Sequence, residues 1–239
     1  MNRLTVTTVG AWCAILMFPV LIAGGFLLSS SEAGDLIPEP GKPGREWLLA
    51  VDAAAGRFAG GGWLLILMGY LGLVALVSFY YTLREAGPIM VLAPILGAVG
   101  LTLVTVSHLI PIGMAYELAP AYTDAAGAEQ GTLGVVSDTL AATSLVINAA
   151  GNALGWGVVV PLYAWAILTT RALPRWIGWL GFVVAVFAGW LGLLAPTSAV
   201  IEGISSIGFV AFFVFMLSMG IAILRRSARE RREQSEAVR

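Results

Sequence analysis

The fold is decided by residues 148–194, which read NAAGNALGWGVVVPLYAWAILTTRALPRWIGWLGFVVAVFAGWLGLL. Two long apolar runs flank the short turn from Arg171 to Arg175. An apolar run of about twenty residues, rising about 1.5 Å per residue, is long enough to cross the roughly 30 Å hydrocarbon core of a bilayer as a helix. The stretch therefore predicts two transmembrane helices joined by a hairpin turn.

The composition extends this prediction to the whole chain. Hydrophobic residues make up 59% of it and charged residues 11%, whereas about a quarter of the residues in soluble domains are charged. In lipid the backbone must satisfy its own hydrogen bonds, so only helices and closed barrels cross a membrane. The apolar runs lack the alternation of polar and apolar residues that barrel strands show. The prediction is therefore an all-α polytopic membrane protein.

Six apolar runs define the predicted helices. We expect one transmembrane domain over residues 1–224 and an Arg-rich cytoplasmic tail over 225–239. The first run is longer than the 7–15 residues typical of a signal peptide, which predicts an uncleaved span. The predicted spans are 7–29, 61–83, 89–116, 141–170, 176–195 and 203–224.

Two segments between the spans predict an irregular or interfacial structure. Residues 30–44 are rich in Pro, Gly and Ser, and residues 117–139 are polar, so both are expected to be loops. Residues 45–58 predict a short helix with Trp47, Val51 and Phe58 on one face. Such a helix either lies in the membrane interface or extends the second span.

Basic residues predict the orientation. With both termini in the cytoplasm, the inner side carries ten basic residues and the outer side carries three, Lys42, Arg45 and Arg57. This distribution follows the positive-inside rule. Twelve of the thirteen basic residues are Arg, and Ala and Gly are abundant, which is typical of a GC-rich bacterial genome. We therefore expect a multi-pass protein of the bacterial cell inner (plasma) membrane.

Charge and cysteine content exclude several classes of function. The net charge of −1 argues against a nucleic-acid partner. A single cysteine, Cys13, rules out an intrachain disulfide and a cysteine metal cluster. One histidine, His108, cannot supply both axial ligands of a bis-histidine haem. We assign no catalytic residue, cofactor or metal ligand, and we expect the partners to be the lipid bilayer and a membrane protein or a second copy of this chain.

Asn148 and Asn152 are the most deeply placed amides. They are four residues apart, so they share one helix face. Either they form hydrogen bonds between helices, or they contact a solute. The neighbouring motif Gly151-x-x-x-Gly155 is typical of closely packed membrane helices and favours the first interpretation.

The candidate polar groups share the outer half of the predicted membrane, whereas the inner half has boundary arginines and few other ionisable groups. His108 is interpreted as structural, with substrate or proton transfer and metal binding as alternatives. Glu202 begins the last span, where a carboxylate complements the helix N-terminus. Polar groups at such depth are candidates for function. We hypothesise one outward-facing polar pocket lined by His108, Asn148, Asn152, Asp138, Glu202 and Glu117, with Asp52 nearby.

The residues that follow the apolar stretch 151–168 resemble part of a known family. Residues 173–181, LPRWIGWLG, resemble a recurrent pattern in a family of small bacterial six-span integral membrane proteins known as a domain of unknown function. The resemblance implies the six-span architecture and a similar outer loop before the second span. It implies no catalytic residues.

Together these observations predict a non-catalytic integral membrane protein that acts as an accessory, scaffolding or sensing subunit. The alternative is a small-solute or lipid-binding transporter with the outward-facing polar pocket. An intramembrane enzyme is the third possibility.

Overall fold

The computed structural model describes residues 3–34, 36–37, 44–197 and 199–237. These residues form helices joined by short turns, which confirms the all-α prediction. In this described part, six helices are long and apolar enough to cross a membrane, as the sequence predicted. They are Thr5–Ser29, Ala55–Ala86, Pro88–Asp124, Gly127–Thr170, Arg175–Leu194 and Gly203–Glu233.

From Gly44 onward, the helices follow one another with few intervening residues. Short 3-10 turns cover Arg84–Ala86, Pro88–Val91 and Leu191–Thr197, and π-helical turns cover Met114–Leu118, Gly155–Val159 and Ala185–Trp190. The α-helices are α1 (Arg3–Ser29), α2 (Gly44–Ala53), α3 (Ala55–Leu83), α4 (Leu92–Gly113), α5 (Ala119–Asp124), α6 (Gly127–Leu154), α7 (Val160–Thr170), α8 (Arg175–Val184) and α9 (Ala199–Ala237).

The predicted loop over residues 117–139 was wrong. A π-helical turn and α5 occupy its first part, and α6 begins at Gly127, so only Ala125 and Ala126 separate the helices. The polar side chains Glu117, Asp124, Glu129 and Asp138 are exposed on these helices. A helix satisfies its own backbone hydrogen bonds whether its outer face is polar or apolar, so polarity alone did not identify a loop.

The predicted helix over residues 45–58 is divided into two. Helix α2 ends at Ala53, and α3 begins at Ala55 after a one-residue turn. The predicted apolar face is buried, with Trp47 at 6% and Val51 and Phe58 at 0% exposure. Helix α9 continues through the Arg-rich tail to Ala237.

The chain divides into two compact units. Unit 1 comprises residues 1–18, 70–101 and 151–239, and unit 2 comprises residues 19–69 and 102–150. Each unit is described separately below.

Unit 1 is organised around Tyr163 on α7, which is fully buried. Its hydroxyl donates a hydrogen bond of 2.8 Å to the carbonyl of Leu76 on α3. Its ring meets Phe79 edge-to-face with centroids 5.7 Å apart. A second link joins α3 to α1, because Ser78 Oγ donates to the Thr7 carbonyl at 2.8 Å. Both donors are therefore satisfied by backbone oxygens of a neighbouring helix.

Unit 2 has its own apolar core under helix α2. Trp47 on α2 meets Phe58 on α3 edge-to-face, with centroids 5.4 Å apart. The same core includes Ile112, Ala119 and Tyr122. Helix α2 thus buries its apolar face against α3 and α5 within this unit.

Candidate functional site

A polar link between α4 and α6 is the centre of the candidate site in unit 2. Ser144 Oγ on α6 donates a 2.6 Å hydrogen bond to the Ser107 carbonyl on α4. Ser107 Oγ lies 2.7 Å from the Val104 carbonyl and 3.4 Å from Asn148 Oδ1. The Asn148 amide therefore takes part in a helix-to-helix contact. Such contacts in membranes are worth about 0.6 kcal/mol on average.

His108 follows Ser107 on α4, but one of its ring nitrogens lacks the hydrogen-bond partners that the Ser107 hydroxyl has. Its Nδ1 atom is buried and has no hydrogen-bond partner among the described residues. A buried polar atom without a partner is costly, about 1–3 kcal/mol. This nitrogen consequently has an unused capacity to bind a small polar ligand or a water molecule.

Two predicted acidic members of the pocket lie at exposed positions of unit 2. Glu117 belongs to the π-helical turn after α4, and Asp138 lies on α6. Asp138 shares an open, shallow surface with Thr139, Ala142 and Thr143, one face of a single helix. Neither carboxylate is thus enclosed by the protein.

The predicted site residues are therefore distributed as follows. The structure brings Asn148 beside Ser107, the neighbour of His108, in unit 2. Asn152 is half-buried in unit 1. The Glu202 side chain lies outside the part of the chain that the structure describes. Within that described part, no three His, Cys, Asp or Glu residues are close enough to hold a metal ion.

Gly151 and Gly155 lie against another glycine in unit 1. A Cβ atom on Gly100 of α4 would lie 3.0 Å from the Gly151 carbonyl oxygen and 3.3 Å from the Gly155 nitrogen. The helices thus approach with backbone against backbone at this point. The sequence motif indicated one side of this contact, whereas Gly100, the other side, had no distinguishing spacing.

An apolar cavity in unit 1 was not predicted. It has a volume of about 60 Å³ and is lined by residues of α1, α3, α4, α7 and α9 and of the π-helical turn Gly155–Val159. Gly72, Gly97 and Gly155 contribute to its wall. These glycines were the sequence feature that could have indicated the cavity. Nothing in the sequence indicated that three separate helical segments bring them together.

These observations define the class of protein. It is all-helical in its described part, with six helices suited to crossing a membrane, a polar interhelical link in one unit and an apolar cavity in the other. Comparison with known proteins adds no closer relationship, because no family model, curated protein or solved structure matches the chain. The resemblance of residues 173–181 to the six-span family rests on those residues alone.

Proposed function

We propose that this protein is a non-catalytic, multi-pass protein of the plasma membrane that acts as an accessory or scaffolding subunit. Six apolar helices support insertion into a membrane. The observation that carries the scaffolding role is the close contact of helix backbones at glycines. Such contacts occur within each unit, where they fix the positions of the helices of that unit.

In unit 1, three such contacts lie near the π-helical turns. A Cβ on Gly189 would lie 2.5 Å from the Cα of Gly157, and one on Gly208 of α9 would lie 2.6 Å from the Phe187 carbonyl carbon. The third is Gly100 against Gly151 and Gly155. Packing at this distance is stabilised by dispersion and leaves few alternative arrangements. A bundle of this kind presents constant lateral faces to a partner.

In unit 2, α1 and α3 meet in the same way. A Cβ on Gly61 would lie 2.9 Å from the Gly24 carbonyl oxygen and 2.7 Å from Leu28 Cγ. Rigid packing in both units suits a protein that positions other membrane components.

The orientation is part of the proposal. Arg171 and Arg175 are exposed at the turn between α7 and α8, and the arginines of the α9 extension lie beyond its apolar part. Positive charge of this kind is retained on the cytoplasmic side of a plasma membrane. We propose on this basis that both termini lie in the cytoplasm.

A photo-crosslinking experiment tests the scaffolding role. Ile207, Val210 and Val214 form an exposed apolar row on α9, with 64%, 63% and 45% exposure. Benzoylphenylalanine at Val210 in native membranes should give one discrete protein adduct, either with a second copy or with another membrane protein. Val146 on α6 is the position for comparison, because its exposure of 68% is close to that of Val210.

The reciprocal crosslink from the identified partner must recover the same pair. Lipid adducts alone from Val210, from Val146 and from positions on the other lateral faces would contradict a scaffolding role.

A second candidate function, a small-solute transporter with an outward-facing polar pocket, is favoured by His108. Its buried Nδ1 atom has no hydrogen-bond partner among the described residues, so a polar ligand that reached it would satisfy it. His108 is the one histidine of the chain, so diethyl pyrocarbonate modification, located by mass spectrometry, reports on this site alone among imidazoles. A pocket open to water predicts modification in intact vesicles as fast as in an unfolded sample. Protection until unfolding would favour the scaffold.

A further inference from the structure

Gly155 belongs to the wall of the cavity in unit 1. A Cβ atom added to Gly155 would meet nothing within 4 Å, so this glycine faces open space. Gly72 differs, because a Cβ there would lie 3.3 Å from Met17 Cε. Gly155 also begins a π-helical turn, whose backbone is wider than that of an α-helix. Part of the cavity wall is thus an irregular turn, a feature frequent at functional sites.

The lining of the cavity selects an apolar occupant. Among the described lining residues, Trp156 and Tyr163 are the two with a polar side-chain atom, and the others are aliphatic, aromatic, Met or Gly. The Tyr163 hydroxyl already donates to the Leu76 carbonyl. A cavity with such walls stays dry and binds apolar molecules, because a water molecule inside needs two to four polar partners.

The mouth of the cavity is apolar and lies deep within the candidate spans. Its half-exposed lining residues are Leu101, Gly155, Trp156 and Phe212, whereas Met17, Phe79 and Tyr163 are buried. Trp156 meets Phe209 and Phe212 with ring centroids 5.8 and 5.5 Å apart, which makes one wall of the mouth aromatic. Leu101, Gly155 and Phe212 lie about nine or more residues inside the spans Pro88–Asp124, Gly127–Thr170 and Gly203–Glu233.

We propose that this cavity binds one acyl chain of a membrane phospholipid. At the depth of the mouth, acyl chains are the apolar molecules that a bilayer supplies. The end of one chain recovers the dispersion contacts that the cavity wall lacks, and the preceding methylenes lie against Trp156 and Phe212. The site is a lipid-binding site in unit 1, distinct from the polar pocket predicted around His108.

The test uses the full chain in nanodiscs that contain a phosphatidylcholine with a diazirine near the end of one acyl chain. After irradiation, adducts are located by mass spectrometry. The proposal predicts adducts concentrated on residues 155–163 and 212–216. Labelling there should saturate with increasing probe fraction, whereas labelling of Phe26, which is 70% exposed, should rise in proportion.

Gly155→Leu fills the open space and should lower the adducts on residues 155–163 and 212–216 about tenfold, a loss of about 1.4 kcal/mol in binding free energy. Gly25→Leu is the matched control, because Gly25 is an exposed helical glycine that also has nothing within 4 Å of its Cβ position. It should leave labelling unchanged.

Labelling that is unsaturable at these peptides in the wild-type protein, or that stays the same in a folded Gly155→Leu protein, overturns the proposal. The saturation measurement needs no variant, so it decides the question even where the substituted protein does not fold.

Discussion

Ser137 and Ser144 on α6 are two buried serines with opposite hydrogen bonding. Ser144 donates to the Ser107 carbonyl, whereas Ser137 Oγ has no partner among the described residues. Their exposures are 0% and 1%, so burial does not distinguish them. The pair therefore isolates the effect of one interhelical hydrogen bond.

Ser144→Ala should lower the free energy of unfolding by about 0.6 kcal/mol, because the link to α4 is lost. Ser137→Ala should leave it unchanged or raise it by up to about 1 kcal/mol, because an unsatisfied buried hydroxyl is removed. Thermal unfolding of both variants in the same detergent measures the difference. Equal destabilisation by the two substitutions would show that the hydrogen bond has no separate effect.

Gly208 and Gly203 on α9 test the close packing in unit 1. A Cβ on Gly208 would lie 2.6 Å from the Phe187 carbonyl carbon and 2.8 Å from Phe187 Cβ, whereas one on Gly203 meets nothing within 4 Å. Gly208→Ala should destabilise the protein by about 1–3 kcal/mol, the usual cost of overpacking.

Gly203→Ala is the control for helix propensity, and it should be neutral or slightly stabilising. The midpoint of thermal unfolding compares the two. A Gly208→Ala protein as stable as the Gly203→Ala protein would mean that α9 moves away from Phe187 at little cost, which contradicts rigid packing.

At the scale of the element, α7 ends at a residue in the left-handed backbone conformation, in the turn before α8. Arg171 has φ 54°, and its amide donates a 3.0 Å hydrogen bond to the Ile167 carbonyl. The Ala172 carbonyl accepts a 3.4 Å hydrogen bond from Arg226 Nη1, and Arg226 also pairs with Glu230 at 2.8 Å. The turn is thereby connected to the extension of α9.

Arg171→Gly should stabilise the hairpin by about 1 kcal/mol, because glycine adopts the left-handed conformation without the Cβ penalty. Arg171→Val should lower stability, because a β-branched residue disfavours positive φ. The unfolding midpoint should be highest for Arg171→Gly, intermediate for the wild-type protein and lowest for Arg171→Val. An Arg171→Val midpoint equal to that of the wild-type protein would show that the turn relaxes to another conformation.

At the scale of the whole molecule, the proposed orientation is testable with the single native cysteine removed. In a Cys13→Ser background, Ala126→Cys should react with a membrane-impermeant maleimide added outside intact cells. Ser235→Cys should react only after permeabilisation. Both positions are exposed, so their reactivity depends on the side of the membrane. The reverse pattern would place both termini outside.

The sequence predicted the helical class and the six long apolar helices because both follow from the length of apolar runs. It failed at residues 117–139, where exposed Glu117 and Asp138 lie on helices that extend beyond the apolar parts. It singled out Asn148 by its depth but not Ser107 or Ser144, because a serine acquires its role from the helix opposite. The cavity at Gly155 depends on five helices and a π-helical turn from separate parts of the sequence, and no local pattern encodes that convergence.

The π-helical turns at Met114–Leu118, Gly155–Val159 and Ala185–Trp190 affect how the chain tolerates the loss of one residue. A turn with i→i+5 hydrogen bonds accommodates one residue more than an α-helical turn. A lost codon within residues 155–159 therefore leaves a regular α-helix with its faces on both sides in place. The same loss inside a regular part of α6 rotates the faces beyond it by about 100°. A chain one residue shorter at this turn should therefore keep the packing on both sides of it, whereas a chain with the same deletion inside α6 should not.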